Sequence, residues 1–197
     1  MLALIGYLLA LAGASALLLL QDWRRRLLAF LLQSTGVGLL AGTLAPAGVA
    51  AVEGLSGWLV GVTIALSVLR ARPRLTQESM ASASRLFRGL ALLMILVAIA
   101  SLMPDIGSLL GDPPRQITLA AGTLAGTGFL ILGLTEHPLT TGLGLVTVLQ
   151  GLELAYLWSE RSLLVVALLA VVNLAVALAC TYLHAVESQG RSREEAG

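Results

Sequence analysis

Long apolar runs follow one another along almost the whole chain, and each has about the length of a membrane crossing. A transmembrane helix needs roughly 20 consecutive, mainly apolar residues, and seven such runs are separated here by short polar segments. Of the 197 residues, 57% are hydrophobic and 12% are charged, whereas a soluble domain carries about 25% charged residues. The sequence therefore predicts an all-α, polytopic membrane protein with seven transmembrane helices.

The runs are predicted to span residues 1–20, 27–44, 47–69, 86–103, 117–134, 138–158 and 162–183. The first run lacks the basic start of a signal peptide, so we expect it to be retained as a helix. Pro104 is predicted to end the fourth run. Residues 70–88 form the longest polar segment, in which Thr76 is a candidate cap for a surface helix. The charged tail after His184 is predicted to fray.

The arginines are distributed unequally between the two sides of the predicted bundle. All twelve basic residues are arginine. Seven alternating helices place only Arg115 and Arg161 on one side and the other ten arginines on the opposite side. Basic residues accumulate in cytoplasmic loops. We therefore expect the N-terminus outside and the C-terminus in the cytoplasm. The membrane is predicted to be a bacterial or archaeal inner (plasma) membrane.

Several classes of chemistry lack the residues that they need. The chain has no lysine for a Schiff base, and Cys180 is the single cysteine, so neither an intramolecular disulfide nor a thiolate cluster is expected. His137 and His184 are far apart in sequence and have no metal-ligand spacing. We predict no metal and no cofactor. With a net charge of +1, we expect the lipid bilayer as a partner and no nucleic acid.

The chain resembles a duplication of a three-helix unit. Residues 31–34, Leu-Leu-Gln-Ser, match residues 148–151, Val-Leu-Gln-Gly, in kind, and both stretches lie in the second helix of a triplet. Equivalent helices are four apart, so the two units run in the same sense across the membrane. The alternative is that apolar sequences always look alike.

The predicted division of the chain follows from this repeat. The first three-helix unit covers residues 1–69, and residues 70–115 hold the cytoplasmic segment, the fourth helix and an outer loop. The second unit covers residues 116–184, and a cytoplasmic tail covers residues 185–197.

Four polar residues inside the apolar runs are candidates for a proton relay: Glu153, Gln150, Asn173 and Glu53. A carboxylate inside a transmembrane helix costs roughly 2.5 kcal/mol or more. Glu53 and Glu153 are predicted at similar depth in the outer third of the membrane. If the two triplets pack together, the carboxyls can lie close and pass protons. Gln150 and Asn173 are predicted to hydrogen-bond to each other between the sixth and seventh helices.

Structural roles are the alternatives for these residues. Glu53 follows a helix-starting turn, where a carboxylate stabilises the positive end of a helix. Glu153 can be a packing residue near the headgroups, and Asn173 can form an ordinary interhelical hydrogen bond. Gly57 and Gly61 have the spacing that lets membrane helices approach closely.

A family resemblance rests on residues 151–154, Gly-Leu-Glu-Leu, and on the Gln33-Ser34 pair. The second triplet resembles the K-type small membrane subunit of respiratory complex I, whose second helix carries an intramembrane glutamate. The whole chain looks like the E-type membrane component of the group-4 hydrogenases, which has seven helices in about this length. This chain has Asn173 where K-type subunits place a second acid, and it lacks the lysine that E-type components bring into the membrane.

The resemblance implies an accessory or proton-channel subunit of a complex-I-like or hydrogenase-type membrane arm, with antiporter-like partners and no redox cofactor of its own. Glu153 is then the surviving relay carboxyl and Asn173 a neutral, water-binding link. The alternatives are a stand-alone small transporter or channel, with Glu53 and Glu153 at its outer mouth, and a purely structural scaffold.

Overall fold

The backbone is helical in nearly every part of the chain that is described. The computed structural model describes residues 1–70, 82–109, 111, 113–135, 137–160 and 162–194. Within these ranges it contains seven helices and no strand, which confirms the predicted all-α class. The helices are α1 (Leu2–Leu19), α2 (Trp23–Leu44), α3 (Ala47–Arg70), α4 (Ser82–Leu109), α5 (Arg115–Leu134), α6 (Pro138–Ser159) and α7 (Leu163–Glu194).

Most of these helices have the length and apolar composition of a membrane crossing. Among the described residues, five are long and apolar enough: α1, α2, α3, α5 and the Leu163–Val186 part of α7. A shorter apolar stretch, Leu86–Leu102, lies in α4. α6 contains Gln150 and Glu153, and 13 of its 22 residues are buried. The protein is therefore a polytopic membrane protein in which neighbouring helices shield the more polar α6 from lipid.

Three helix bounds differ from the sequence prediction. α2 begins at Trp23, so residues 24–26 form its first turn rather than a loop, in keeping with the high helix propensity of arginine. α4 continues through Pro104 to Leu109, although an interior proline removes one helical hydrogen bond. α7 continues to Glu194, since no proline interrupts the tail. Thr76, the predicted cap, lies outside the described residues.

The two triplets of helices are built alike. A shift of 115 residues carries Trp23 onto Pro138 and Leu44 onto Ser159, so the bounds of α2 become those of α6. The glycine contacts between the first two helices of each triplet follow the same shift. At each of these glycines, an added Cβ would lie 2.8 Å or less from backbone atoms of the other helix. These contacts are Gly13 with Ala29 and Gln33, and Gly128 with Gly144 and Val148; likewise Gly36 with Gly6 and Ala10, and Gly151 with Ala121 and Ala125. We call α1–α3 the first unit and α5–α7 the second unit.

The shift of 115 corrects the predicted alignment of the two glutamines. Matching residues 31–34 with 148–151 requires a shift of 117, which the helix contacts do not follow. Gln33 is instead the structural counterpart of Val148, and Gln150 is the counterpart of Thr35. Two residues turn a helix by roughly 200°, so the two glutamine side chains leave their units on nearly opposite sides. The four-residue match reflected similar composition rather than equivalent position.

The two units run in the same direction, as the even helix spacing predicts. Arg26 Nη1 of α2 donates to Thr140 Oγ1 of α6 at 3.1 Å. Further along both helices, Gln33 Nε2 donates to Gln150 Oε1 at 2.8 Å. Because the residue numbers rise together along the contact, α2 and α6 are parallel.

α4 joins the two units at one edge. The buried side chain of Arg88 donates to Leu18 O at 3.4 Å and to Leu134 O at 3.3 Å. These carbonyls lie at the last turns of α1 and α5, where helix carbonyls have no partner within their own helix. Arg88 therefore links corresponding ends of the two units.

Candidate functional site

The carboxyl groups of Glu53 and Glu153 meet at the interface between the two units. Glu53 lies in the second turn of α3 and Glu153 near the last turns of α6, and both side chains are almost completely buried. Each carboxyl group is within hydrogen-bonding reach of the other. The packing of the triplets therefore brings the two acids together. Glu53 is enclosed against another acid rather than placed at an exposed helix start.

Contact between two carboxyl groups requires a proton, because two carboxylates repel each other at this distance. Both carboxyl oxygens of Glu53 are buried and accept no hydrogen bond from a described group. Among the described residues, no arginine or histidine forms an ion pair with either acid. A buried carboxylate without a cation is very unfavourable. A proton held between the two groups would satisfy both.

Asn173 of α7 completes this acid pair. Its Nδ2 donates to Glu153 Oε1 at 2.8 Å, and its side chain is fully buried. The predicted partner of Asn173 was Gln150, and this prediction is wrong. Three residues turn a helix by about 300°, so Gln150 and Glu153 point in directions roughly 60° apart. Gln150 faces α2, whereas Glu153 faces α3 and α7.

A ladder of buried amides and hydroxyls adjoins the acids. Gln33 Nε2 donates to Gln150 Oε1 at 2.8 Å and to Thr147 Oγ1 at 3.1 Å. Gln150 Nε2 in turn donates to Ser34 Oγ at 3.1 Å. Gln150 lies one turn from Glu153 on α6, so the ladder extends the polar region from the acid pair into the bundle. Amides and hydroxyls both donate and accept hydrogen bonds, so this ladder can orient water and a proton beside the acids.

Gly57 of α3 lets the units close over the ladder. A Cβ at this position would lie 2.6 Å from Ser34 Oγ and 2.9 Å from Gln150 Nε2. The sequence pattern predicted a close helix approach at Gly57 and Gly61. Gly61 accordingly faces Leu31 and Phe30 of α2. The position of Gly57 against the polar ladder was not predicted, because spacing alone does not identify the neighbouring helix.

The site is nearer to one end of the bundle. Glu53 is six residues into α3, or roughly 9 Å along the axis at 1.5 Å per residue, and Glu153 is six residues before the end of α6. The two acids therefore have similar depth. On the other side of the ladder, Thr147 and Thr140 are seven positions apart on α6, and apolar Leu143 lies between them.

Aromatic and imidazole rings gather at the opposite end of the bundle. The ring centroids of His137 and His184 are 5.2 Å apart, and those of Trp23 and His137 are 6.2 Å apart. The histidines are distant in sequence but neighbours in the fold. In the part of the chain that is described, no three histidine, cysteine or acidic side chains form a group suited to a metal ion.

Comparison with family models, curated proteins and solved structures gives no match to this chain. The four predicted residues Glu53, Gln150, Glu153 and Asn173 nevertheless converge in one region, joined by Thr147 and by the Gln33-Ser34 pair. Tyr156 lies outside it, where its hydroxyl donates to Glu160 Oε2 at 2.9 Å. The arrangement can hold and transfer a proton between acids on different units.

Gln33→Leu is expected to lower the free energy of unfolding by about 1–2 kcal/mol. The change removes both hydrogen bonds donated by Gln33, and side-chain hydrogen bonds between membrane helices contribute about 0.6 kcal/mol on average and up to about 1.7. Unfolding of the purified protein in mixed micelles of increasing SDS content measures the effect. Gln116→Leu, in the first turn of α5, is the matched control. Equal losses in the two variants would show that the ladder adds no stability.

Proposed function

We propose that this protein is an integral membrane subunit of a proton-translocating membrane arm, in which Glu53 and Glu153 hold a proton in transit. The observation that supports this proposal is the contact between two buried acids from different helical units. Intramembrane acids that face the interior of a helix bundle are typical of proton relays.

The surroundings of the acids favour a proton over another cargo. Their neighbours are neutral: Asn173 donates to Glu153, and the Gln150 ladder follows one turn away. A neutral, buried neighbourhood disfavours an uncompensated charge and therefore favours uptake of a proton by the pair. The Gln33, Ser34 and Thr147 side chains provide the next hydrogen-bonding groups.

The resemblance to the E-type hydrogenase component and to the K-type complex I subunit gives the proposed setting. We propose a bacterial or archaeal inner membrane, with the acid pair in its outer third and the arginine-rich end at the cytoplasm. The partners are antiporter-like membrane subunits. In this setting Glu153 carries the proton, Glu53 shares it, and Asn173 and Gln150 position the carboxyl and water.

Extraction of native membranes in a mild detergent, followed by affinity capture of the tagged chain and mass spectrometry, tests the setting. We expect recovery with large antiporter-like or hydrogenase-like membrane subunits. Recovery of the chain alone, or only with itself, would overturn the membrane-arm assignment and leave a stand-alone transporter or a scaffold.

Infrared spectroscopy of the purified protein tests the proton pair independently of any partner. We expect a C=O stretching band of a protonated carboxyl group at neutral pH. Glu153→Gln removes one member of the pair, and we expect the band to be lost or shifted. Glu160→Gln, at an exposed residue beyond the end of α6, is the control that keeps the band. Absence of the band in the unmodified protein would overturn the shared proton.

A further inference from the structure

The two histidines of the sequence come together at the end of the bundle that is opposite to the acid pair. His137 is the N-cap residue of α6, and His184 lies in the last turn of the apolar part of α7. Their ring centroids are 5.2 Å apart, the ring of Trp23 lies beside His137, and His184 is buried. Histidine takes up and releases a proton near neutral pH, and the proposed relay does not yet use either ring. We call this end of the bundle the histidine end.

One face of α7 connects the histidine end to the acid pair. Asn173, Ala177, Cys180 and His184 follow one another at steps of four, three and four residues, and such steps keep side chains on one side of a helix. Eleven residues turn a helix by about 1,100°, which is within roughly 20° of three full turns. Because Asn173 donates to Glu153 of α6 at 2.8 Å, this face of α7 is the one that packs against α6.

α6 supplies the other side of the same interface. Near its middle, a Cβ at Gly142 would lie 2.8 Å from Cys180 Sγ. Towards the start of α6, His137 contacts His184, and Glu153 lies in the opposite direction along the helix. The acid pair and the two histidines are therefore the two ends of a single interface between α6 and α7.

The two ends are too far apart for a proton to pass directly. Asn173 and His184 are separated by roughly 16 Å along the axis of α7, at 1.5 Å per residue. Small residues lie between these ends: Ala177 and Cys180 on α7, and Gly142 on α6. The close approach of Gly142 to Cys180 closes the interface in this structure. A small separation of the two helices at this contact would make room for hydrogen-bonded water, which can carry the proton.

Charged side chains flank the histidine end. Arg26 of α2 and the buried Arg88 of α4 donate to carbonyl oxygens at the ends of helices, and Asp22 forms an ion pair on the surface. In the sequence, Glu136 precedes one histidine and Glu187 follows the other by three residues. Arginine keeps its proton throughout the physiological range, whereas an imidazole exchanges its proton near neutral pH. The two imidazoles are therefore suited to proton exchange with water at this end.

We propose that His137 and His184 form a second proton site of the relay, which exchanges protons between water at the histidine end and the acid pair. This inference rests on the proposed function. An imidazole nitrogen takes up a proton from water at the histidine end, and the resulting imidazolium releases an N–H proton to water between α6 and α7. That water delivers a proton to the carboxylate of the pair that has given up its own, and the imidazole is neutral again. Transfer in the other direction reverses these steps.

Proton flux through proteoliposomes that contain the captured assembly, read with an internal pH dye, tests this site. His184→Ala is expected to lower the flux by roughly 10²-fold, the usual effect of removing a positioned proton-transfer group. The infrared carboxyl band is expected to remain, because the acid pair is unchanged. Added imidazole is expected to restore much of the flux, whereas pyrrole, which has the same ring size but no basic nitrogen, is expected to restore none. Tyr182→Ala, at an exposed residue of α7, is the matched control and is expected to keep the flux.

His137→Ala, at a half-buried residue, is the second variant and is expected to show the same loss and the same rescue. Vesicles that contain Glu153→Gln measure any flux that imidazole carries by itself. Unchanged flux in both histidine variants, together with loss of flux in Glu153→Gln, would overturn this inference and leave the proposed function standing. A loss that imidazole does not restore, or that is accompanied by loss of the carboxyl band, would assign the histidines to packing and also overturn it. Full flux in Glu153→Gln would overturn the proposed function itself.

Discussion

Glu153→Gln is expected to abolish proton transfer through the protein while leaving the fold intact. A glutamine fills the same space and still accepts a hydrogen bond from Asn173, and its amide nitrogen can donate to Glu53. It cannot take up and release a proton, and loss of a positioned proton-transfer group typically costs roughly 10²-fold or more in rate. Proton uptake into proteoliposomes that contain the captured assembly, driven by a potassium diffusion potential and followed with an internal pH dye, measures this loss.

Further variants test whether the acid pair, rather than any acidic residue, is needed for the proton flux. Glu160→Gln is expected to keep the flux, because Glu160 is exposed and bonded to Tyr156 outside the site. Glu53→Gln is expected to reduce the flux as strongly as Glu153→Gln, since either change breaks the shared pair. Combining the two changes is expected to add little, as for groups that act as a unit. Unchanged flux in Glu153→Gln would remove the acid pair from any proton path.

Gly57→Ala is expected to destabilise the protein by about 1–3 kcal/mol, the usual effect of overpacking a close contact. The new methyl group would lie 2.6 Å from both Cβ and Oγ of Ser34 and would push α3 away from α2. Movement of α3 would also carry Glu53 away from Glu153, so we expect the shared proton to be lost together with stability. Unfolding in mixed SDS micelles and the infrared carboxyl band provide the two measurements.

Gly89→Ala and Gly133→Ala are the matched controls for this experiment. No atom lies within 4 Å of an added Cβ at either helical position beyond the local backbone. Alanine in a helix interior is favoured over glycine by up to about 1 kcal/mol, so both controls are expected to be neutral or slightly stabilised. A Gly57→Ala protein that behaves like these controls would show that α3 is not held closely against the polar ladder.

The interface between the units explains why two such similar triplets carry different residues. The first unit supplies Gln33 and Glu53 to this interface, and the second unit supplies Gln150 and Glu153. At the shift of 115 residues the counterparts of Gln33, Gln150 and Glu153 are Val148, Thr35 and Gly38, none of which is ionisable. The site therefore forms only where the two units pack against each other, and neither unit contains it alone.

Much of the fold could be predicted from hydropathy. The seven runs correspond to the seven helices of the described chain, because a membrane helix must be both apolar and long enough to satisfy its backbone in lipid. Helix ends were less predictable. α2 includes Arg24, Arg25 and Arg26, which lie before the predicted second run, and α4 continues through Pro104. At these ends the polar side chains and the proline do not prevent helical hydrogen bonding in the neighbouring turns.

The site could be predicted as a set of residues but not as a set of contacts. Glu53, Gln150, Glu153 and Asn173 were selected because polar groups are expensive inside apolar helices. The sequence indicated similar depth for the two acids, which the helix bounds support. It paired Asn173 with Gln150, whereas the structure pairs Asn173 with Glu153.

The sequence by itself determined that this chain is a bundle of apolar helices with a few buried polar side chains. Length and hydropathy act along the chain, and they suffice to predict which segments form the helices. Only the tertiary structure decided that Glu53 faces Glu153 and that Gln33 is the counterpart of Val148. Those facts depend on the rotation of each helix and on which faces of the two units meet. Close glycine contacts fix that rotation, and one residue of register turns a side chain by about 100°.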